Sequence, residues 1–191
     1  MRKAIRYIPL LFVLAGCHSK GTLRAGAYIS EMEKVFKKKV VSGNMEYNIQ
    51  YAPAAYMICK ELSGNIADSN KELFNKRIKE MKGYVFFIIN IKLKNGQTVS
   101  NPDDMVMYYQ SEASKDMSLH EKERSIPPSV WNFENNYGLA PYNTIVAGFE
   151  DGSDEPEDVQ LIFNDNYAHT PMVKVAFTKE ELKKLPQLAI N

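Results

Sequence analysis

Apolar and polar residues alternate along several short segments of the chain, which is the pattern of β-strands with one buried face. Residues 45–51 alternate most regularly. Residues 84–93 are the most apolar and are rich in β-branched and aromatic side chains, so they predict a central strand. Asn95-Gly96 predicts a tight turn, with a return strand over 97–100. Further strands are predicted at 105–109, 144–149, 159–163 and 172–177.

A spacing of three to four residues between apolar positions predicts two amphipathic helices, over 28–40 and 70–82. The basic run at 37–39 is interpreted as the solvated end of the first helix. The side chains expected to face inward from the second helix are Leu73, Phe74, Ile78 and Met81. Residues 54–62 follow Pro53 and predict a further helix, with a strand as the alternative.

The order of these elements indicates the fold class. About seven short strands separated by turn signals predict a mainly β fold, an antiparallel β-sandwich of the immunoglobulin-like type with peripheral helices. The alternative is an α+β fold with helices on one face of an antiparallel sheet. Residues 110–144 are predicted to be loop-rich, and Thr178 to Glu181 form a capping-box pattern that opens a short last helix. The predicted single globular domain spans 28–191.

The first residues of the chain have the composition of a secretory signal. Arg2, Lys3 and Arg6 precede an apolar stretch from Tyr7 to Ala15. That stretch is far shorter than the roughly 18 apolar residues of a transmembrane helix.

The end of this stretch, Leu14-Ala15-Gly16-Cys17, resembles the lipobox of bacterial lipoproteins. The resemblance implies a signal peptide over 1–16, diacylglycerol and a fatty acid such as palmitate on Cys17, and a lipidated tether over 17–27. It also implies a place in the cell envelope. The residue after the cysteine is His18 and not Asp, which favours the outer membrane over the inner membrane.

The charge of the mature chain excludes one class of partner. The leader holds three of the 24 basic residues and none of the 23 acidic ones, so the remainder carries a net charge of −2. We therefore expect no nucleic-acid partner. With Cys17 lipidated, Cys59 has no partner within the chain, and its apolar surroundings in the sequence predict a buried thiol.

Motifs for catalysis or metal binding are absent from the sequence. There is no H-E-x-x-H, Cys-x-x-Cys, G-x-S-x-G or P-loop pattern, so we expect no catalytic residue and no cofactor. The weak exception is an acidic segment that could bind Ca²⁺, although its order does not match a calcium loop. Its candidate ligands are Asp151, Asp154, Glu157 and Asp158.

Aromatic residues in the loop-rich stretch provide the best candidate for a binding surface. Trp131, Phe133, Tyr137 and Tyr142 lie there among asparagines, as in surfaces that recognise proteins or carbohydrates. The alternative is that Trp131 closes one end of the sandwich. These observations predict a lipid-anchored module, not an enzyme, that presents loops to an envelope protein or glycan. The alternatives are an envelope hydrolase with carboxylates from distant segments and a lipid-anchored immunity protein.

The lipobox gives the first testable prediction. Expressed with its leader in a bacterial host, the wild-type protein should gain the mass of diacylglycerol and sediment with the membrane. The Cys17→Ser variant should be unlipidated, because no other residue carries the acceptor sulfur of the motif. Intact mass and membrane fractionation measure both. Two soluble, unlipidated proteins would contradict the lipoprotein interpretation.

Overall fold

The computed structural model describes residues 23–64, 66, 68–95, 102–150, 152 and 157–189, without the side chains of 68 and 69. The helices there are α1 (Ala25–Lys34), α2 (Ala54–Glu61), α3 (Asp68–Glu80), α4 (Asp103–Met107) and α5 (Lys179–Leu182). The strands are β1 (Lys37–Ser42), β2 (Met45–Pro53), β3 (Tyr84–Leu93), β4 (Met117–Glu121), β5 (Arg124–Ile126), β6 (Val130–Glu134), β7 (Asn143–Glu150), β8 (Val159–Phe163) and β9 (Val173–Phe177). No helix within these residues is long and apolar enough to cross a membrane.

The nine described strands form two antiparallel sheets. Sheet 1 has the order β1-β2-β3-β7-β6, and sheet 2 has the order β5-β4-β8-β9. Strand β3, the most apolar segment, lies at the centre of sheet 1 as predicted. It pairs with β2 on one side and with β7 on the other, so Ile88 lies between Gln50 and Val146.

Aromatic rings fill the space between the two sheets. The Phe87 ring of sheet 1 lies 5.7 Å from the Phe177 ring of sheet 2, and the Tyr47 ring lies 6.2 Å from that of Phe163. All four side chains are fully buried. Edge-to-face and tilted packing of this kind contributes beyond the area that it buries. The predicted class, a mainly antiparallel β-sandwich with peripheral helices, is confirmed.

Helices α1, α2 and α3 cover part of the other face of sheet 1. Ala52 and Phe86 point out of the sheet into a second apolar cluster, which also contains Tyr56, Cys59 and Phe74. Residues 54–62 thus contribute a helix and not a strand. Cys59 is fully buried with a free thiol, as predicted, and burial raises the pKa of that thiol to about 11.

The predicted inward face of α3 is only partly right. Phe74 is fully buried, whereas Leu73 is exposed to solvent. The predicted start of the domain at residue 28 is too late. Leu23 pairs with Leu188, and α1 begins at Ala25, whose side chain is buried. Residues 23–27 therefore belong to the folded domain and not to the tether.

The interpretation of residues 37–39 as a helix end is wrong, because all three lysines lie in β1. The chain turns at Phe36, which has a φ of 61°. Lys38 then donates to Glu181 at 2.8 Å and to the carbonyl of Ala176 at 2.7 Å. Its ammonium also lies 4.8 Å from the Phe177 ring centre. This lysine links the edge of sheet 1 to that of sheet 2.

Residues 102–134 differ most from the prediction. The segment predicted as a strand at 105–109 forms α4 and the start of a π-helical turn over Tyr108–Glu112. The stretch predicted to be loop-rich contains β4, β5 and β6. Asp103 and Asp104 lie in the first turn of α4, where negative charge interacts favourably with the helix dipole. This interaction favours a helix at the position where a strand was predicted. The return strand predicted at 97–100 lies outside the described residues.

A buried carboxylate joins the π-helical turn to the sandwich. Asp165 is almost fully buried, and its Oδ2 accepts hydrogen bonds from the hydroxyls of Tyr47 and Tyr109, each at 2.7 Å. The backbone N–H of Ala168 donates to Oδ1 at 3.0 Å. Burial and the carboxylate raise the pKa of both tyrosines far above their usual range. Three donors thus replace the water that the charge would otherwise hold.

Removing one of these donors should destabilise the fold. We expect Tyr109→Phe to lower the free energy of unfolding by about 1.5–3 kcal/mol, because hydrogen bonds to charged groups contribute that much. Urea unfolding followed by circular dichroism measures the change. The matched control is Tyr84→Phe, whose hydroxyl lies 3.5 Å from Glu150 at the surface and should change stability little. Equal changes in the free energy of unfolding for the two variants would show that the buried network contributes nothing to stability.

Candidate functional site

The four aromatic residues predicted as one binding surface separate into two groups. Trp131 and Phe133 point from β6 toward the sandwich core. The Trp131 indole N–H donates to the carbonyl of Tyr109 at 2.8 Å, and the Phe133 ring stacks on that of Tyr109 at 5.3 Å. These two residues hold the π-helical turn in place and do not form an open surface, which corrects their assignment.

The other two aromatic residues lie on the loop that joins β6 to β7. Tyr137 is 81% exposed and Tyr142 is 38% exposed, while Leu139 between them is 92% exposed. Asparagine side chains hold the loop. Asn135 accepts a hydrogen bond from the N–H of Tyr137 at 2.9 Å, and Asn136 accepts one from the N–H of Gly138 at 2.8 Å. The loop therefore presents apolar side chains to solvent in a defined conformation.

Tyr142 also borders a cavity that the sequence did not reveal, which we call the outer groove. This groove lies on the outer face of sheet 1, beside α2, and has a volume of about 680 Å³. That volume is in the range of ligand sites in proteins. Its lining residues are Glu33, Lys37, Gln50, Tyr56, Met57, Lys60, Glu61, Met81, Phe86, Ile88, Asn90, Val130, Glu134, Tyr142, Thr144 and Val146.

Strand register explains why the floor of the groove has an apolar part and a polar part. Ile88 and Val146 are cross-strand partners and lie next to the helices. Two residues further along each strand, on the same face, Asn90 is paired with Thr144, and the Thr144 hydroxyl donates to Asn90 Oδ1 at 3.0 Å. Asn48 is the partner of Asn90 on β2. The floor thus changes from aliphatic side chains to neutral hydrogen-bonding ones along the strands.

The wall formed by α1 and α2 is fixed by polar contacts. Gln50 Nε2 donates to the carbonyl of Met32 at 2.8 Å, which ties α1 to the sheet. Lys60 lies 3.8 Å from Glu33 and 5.7 Å from the Tyr56 ring centre. Burial raises the pKa of Tyr56. The groove is thereby bounded by a rigid helical wall on one side and is open toward the β6–β7 loop.

Three charged residues continue the outer face beyond the polar floor. Glu46 is only 5% exposed, and its carboxylate lies 2.6 Å from the ammonium of Lys39 and 2.9 Å from that of Lys92. Asn48 Nδ2 donates to Glu46 at 3.0 Å. Hydrogen bonds from Lys39, Lys92 and Asn48 lower the pKa of Glu46 to about 2. The two lysines and the carboxylate therefore form a closed ionic cluster.

The calcium candidates do not form a described site. Asp151 and Asp154 lie outside the described residues. Glu157 lies 3.4 Å from the ammonium of Lys179 and 3.7 Å from that of Lys122, and Asp158 accepts a hydrogen bond from the Lys179 backbone N–H at 2.5 Å. Within the part of the chain that the structure describes, no group of three His, Cys, Asp or Glu residues could hold a metal ion.

No family model and no curated protein matches the chain. Among solved structures, the fold is similar to the crystal structure of a DUF4426 family protein from Pseudomonas aeruginosa PAO1. The two share 9% identity with a TM-score of 0.36, over 74% of this chain and 91% of that one.

The sequence contains one signal that could have indicated the groove. Asn90 interrupts the most apolar strand, and Asn48 and Gln50 occupy the polar positions of the alternating strand 45–51. A polar side chain at the centre of a sheet needs a partner or solvent. Their alignment with Thr144 depends on the pairing of strands distant in sequence, which alternation alone does not give.

The ionic cluster gives a prediction with a defined pH dependence. Because the folded-state pKa of Glu46 is lowered, its contribution to stability is present above the ordinary value of 4.5 and is lost as the pH falls toward 2. The difference in the free energy of unfolding between wild type and Glu46→Gln should be largest near pH 7 and should shrink over this window.

Chemical denaturation at a series of pH values measures this difference. Glu112→Gln is the control, since Glu112 forms an exposed pair with Lys115, at 2.5 Å, and such pairs contribute little. A difference for Glu46→Gln that is independent of pH would contradict the ionic origin of its contribution.

Proposed function

We propose that this protein is a lipid-anchored binding module of the bacterial cell envelope, held at the outer membrane by acyl chains on Cys17. Its role is to bind an envelope protein or glycan, and not to catalyse a reaction. The observation that carries the proposal is that Tyr142 belongs both to the exposed β6–β7 loop and to the outer groove. Loop and groove therefore form one continuous surface, which we call the binding face.

The position of the domain relative to the anchor supports this role. Only six peptide units separate Cys17 from Leu23, where the described fold begins. Even a fully extended chain of that length reaches at most roughly 20 Å. The domain would remain near the membrane surface, where a partner fixed in the envelope is present at high effective concentration.

The polar groups of the groove support binding over catalysis. Lys60 lies beside Glu33, and Arg77 lies 3.1 Å from Glu61. These two carboxylates are therefore held by cations of the protein itself, whereas glycoside hydrolysis uses a pair of carboxyl groups that flank the scissile bond. The proposal therefore assigns these acids to the wall of the groove.

The binding face can be tested with a photo-reactive amino acid placed at single positions of the lipidated protein in intact cells. We expect positions 137 and 142 to form the same adduct, identified by mass spectrometry, with one envelope protein or glycan. Excess purified domain should reduce the amount of this adduct, because its binding face competes for the same partner.

Position 174 is the matched control, since Lys174 is exposed on the outer face of sheet 2, on the opposite side of the sandwich. Adducts that form equally at position 174, or that purified domain does not reduce, would contradict the proposal. The Cys17→Ser variant examines the anchor separately, because its binding face is intact.

A further inference from the structure

We propose that the outer groove binds an uncharged glycan chain, an inference that rests on the proposed binding role and names its ligand class. The floor of the groove carries the hydrogen-bonding groups that recognise hydroxyl and acetamido groups. Asn90 and Thr144 are neutral, and they lie side by side at the centre of sheet 1. Such groups fix orientation without requiring charge on the ligand.

The hydrogen bonding of Asn90 leaves donors available to a ligand. Its Oδ1 accepts from the Thr144 hydroxyl, and no acceptor contacts its Nδ2 among the described residues. On the neighbouring strand, Asn48 uses its Nδ2 for Glu46. Asn48 lies next to Asn90 in the strand register but does not line the groove, so its Oδ1 is available only to a ligand that extends beyond the polar floor. Adjacent donors and acceptors match a sugar, in which every hydroxyl is both donor and acceptor.

Apolar surface lies directly beside these polar groups. Ile88 and Val146 form the adjoining floor, and the half-exposed Tyr142 ring forms the rim. A sugar ring has one face of C–H groups and a periphery of hydroxyls. The aliphatic floor and the tyrosine ring can pack against the C–H face while the amides bind the periphery, as amphipathic aromatic side chains do at wet interfaces.

The charges around the groove are largely compensated within the protein. Lys60 is paired with Glu33, and Lys39 and Lys92 are paired with Glu46. Two charges of opposite sign, Lys37 on β1 and Glu134 on β6, lie at the two edges and form no ion pair with the residues that the structure describes. Across five strands they are roughly 19 Å apart. The groove therefore has no net field that would select an acidic or basic polymer.

The position of the groove argues against an extended peptide as its ligand. Peptides that add to a sheet bind along an edge, where backbone N–H and C=O groups are unpaired. The floor of the outer groove lies over β2, β3 and β7, whose backbone groups are paired within the sheet, and Lys37 of β1 and Glu134 of β6 lie at its two ends. The recognition there is through side chains.

The test measures binding of two uncharged tetrasaccharides, chitotetraose with acetamido groups and cellotetraose with hydroxyl groups only, by titration calorimetry and NMR. We expect saturable binding of one or both, with little change between 50 and 500 mM salt, because no counterions are displaced. Thr144→Val and Tyr142→Ala should each weaken binding about 5- to 10-fold, the loss expected for one hydrogen bond or one packed ring.

Lys174→Ala is the control, since Lys174 is exposed on the outer face of sheet 2 and lies outside the binding face. It should leave binding unchanged. Asn90→Leu, of similar shape, is a second variant on the floor, and thermal unfolding of each variant establishes that it folds. The inference is overturned if neither sugar binds at 10 mM, if the groove variants bind as well as wild type, or if the groove selects a peptide instead. If one of these results overturns the inference but position 142 still forms its adduct in cells, the proposed binding role stands.

Discussion

Strands β2 and β3 bury side chains on both of their faces, and this requirement determines how the rest of the molecule is arranged. On the inner face, Tyr47 and Phe87 pack against sheet 2. On the outer face, Ala52 and Phe86 need a second cover, which α1, α2 and α3 provide. Because the helices cover only the part of the outer face where these apolar residues lie, the polar part beyond Ile88 remains open. The outer groove is therefore a consequence of an incomplete second layer.

The buried carboxylate of Asp165 orders a second region, between the two sheets. Its carboxylate fixes Tyr47 of sheet 1 and Tyr109 of the π-helical turn at one point. Tyr109 in turn supports Phe133 through stacking and Trp131 through its carbonyl. Edge strand β6 is thus positioned from within. Since β6 leads directly into the loop that carries Tyr137 and Tyr142, the binding face rests on this network.

Alternation predicted the strands at 45–51 and 159–163, and the apolar, β-branched and aromatic composition of 84–93 predicted the central strand. Alternation failed where the contrast between neighbouring side chains is missing. Lys38 and Lys39 are chemically alike, yet they point to opposite faces and find partners at Glu181 and Glu46. Residues 105–109 are apolar and aromatic, as in a strand, but the preceding acidic turn starts a helix. Trp131 was indistinguishable from a binding residue because its acceptor, Tyr109, is known only from the fold.

The pairing of β3 with β7 joins residues that are far apart in sequence, such as Tyr84 and Glu150. Strands β4, β5 and β6 lie between them in the chain. One edge of β3 therefore stays unpaired until β7 has been synthesised. Non-local pairing of this kind is slow. A nascent or truncated chain that ends before β7 would expose the most apolar segment of the protein as a free edge, which is a template for aggregation. A chaperone that covers this edge until β7 has been made would prevent that aggregation.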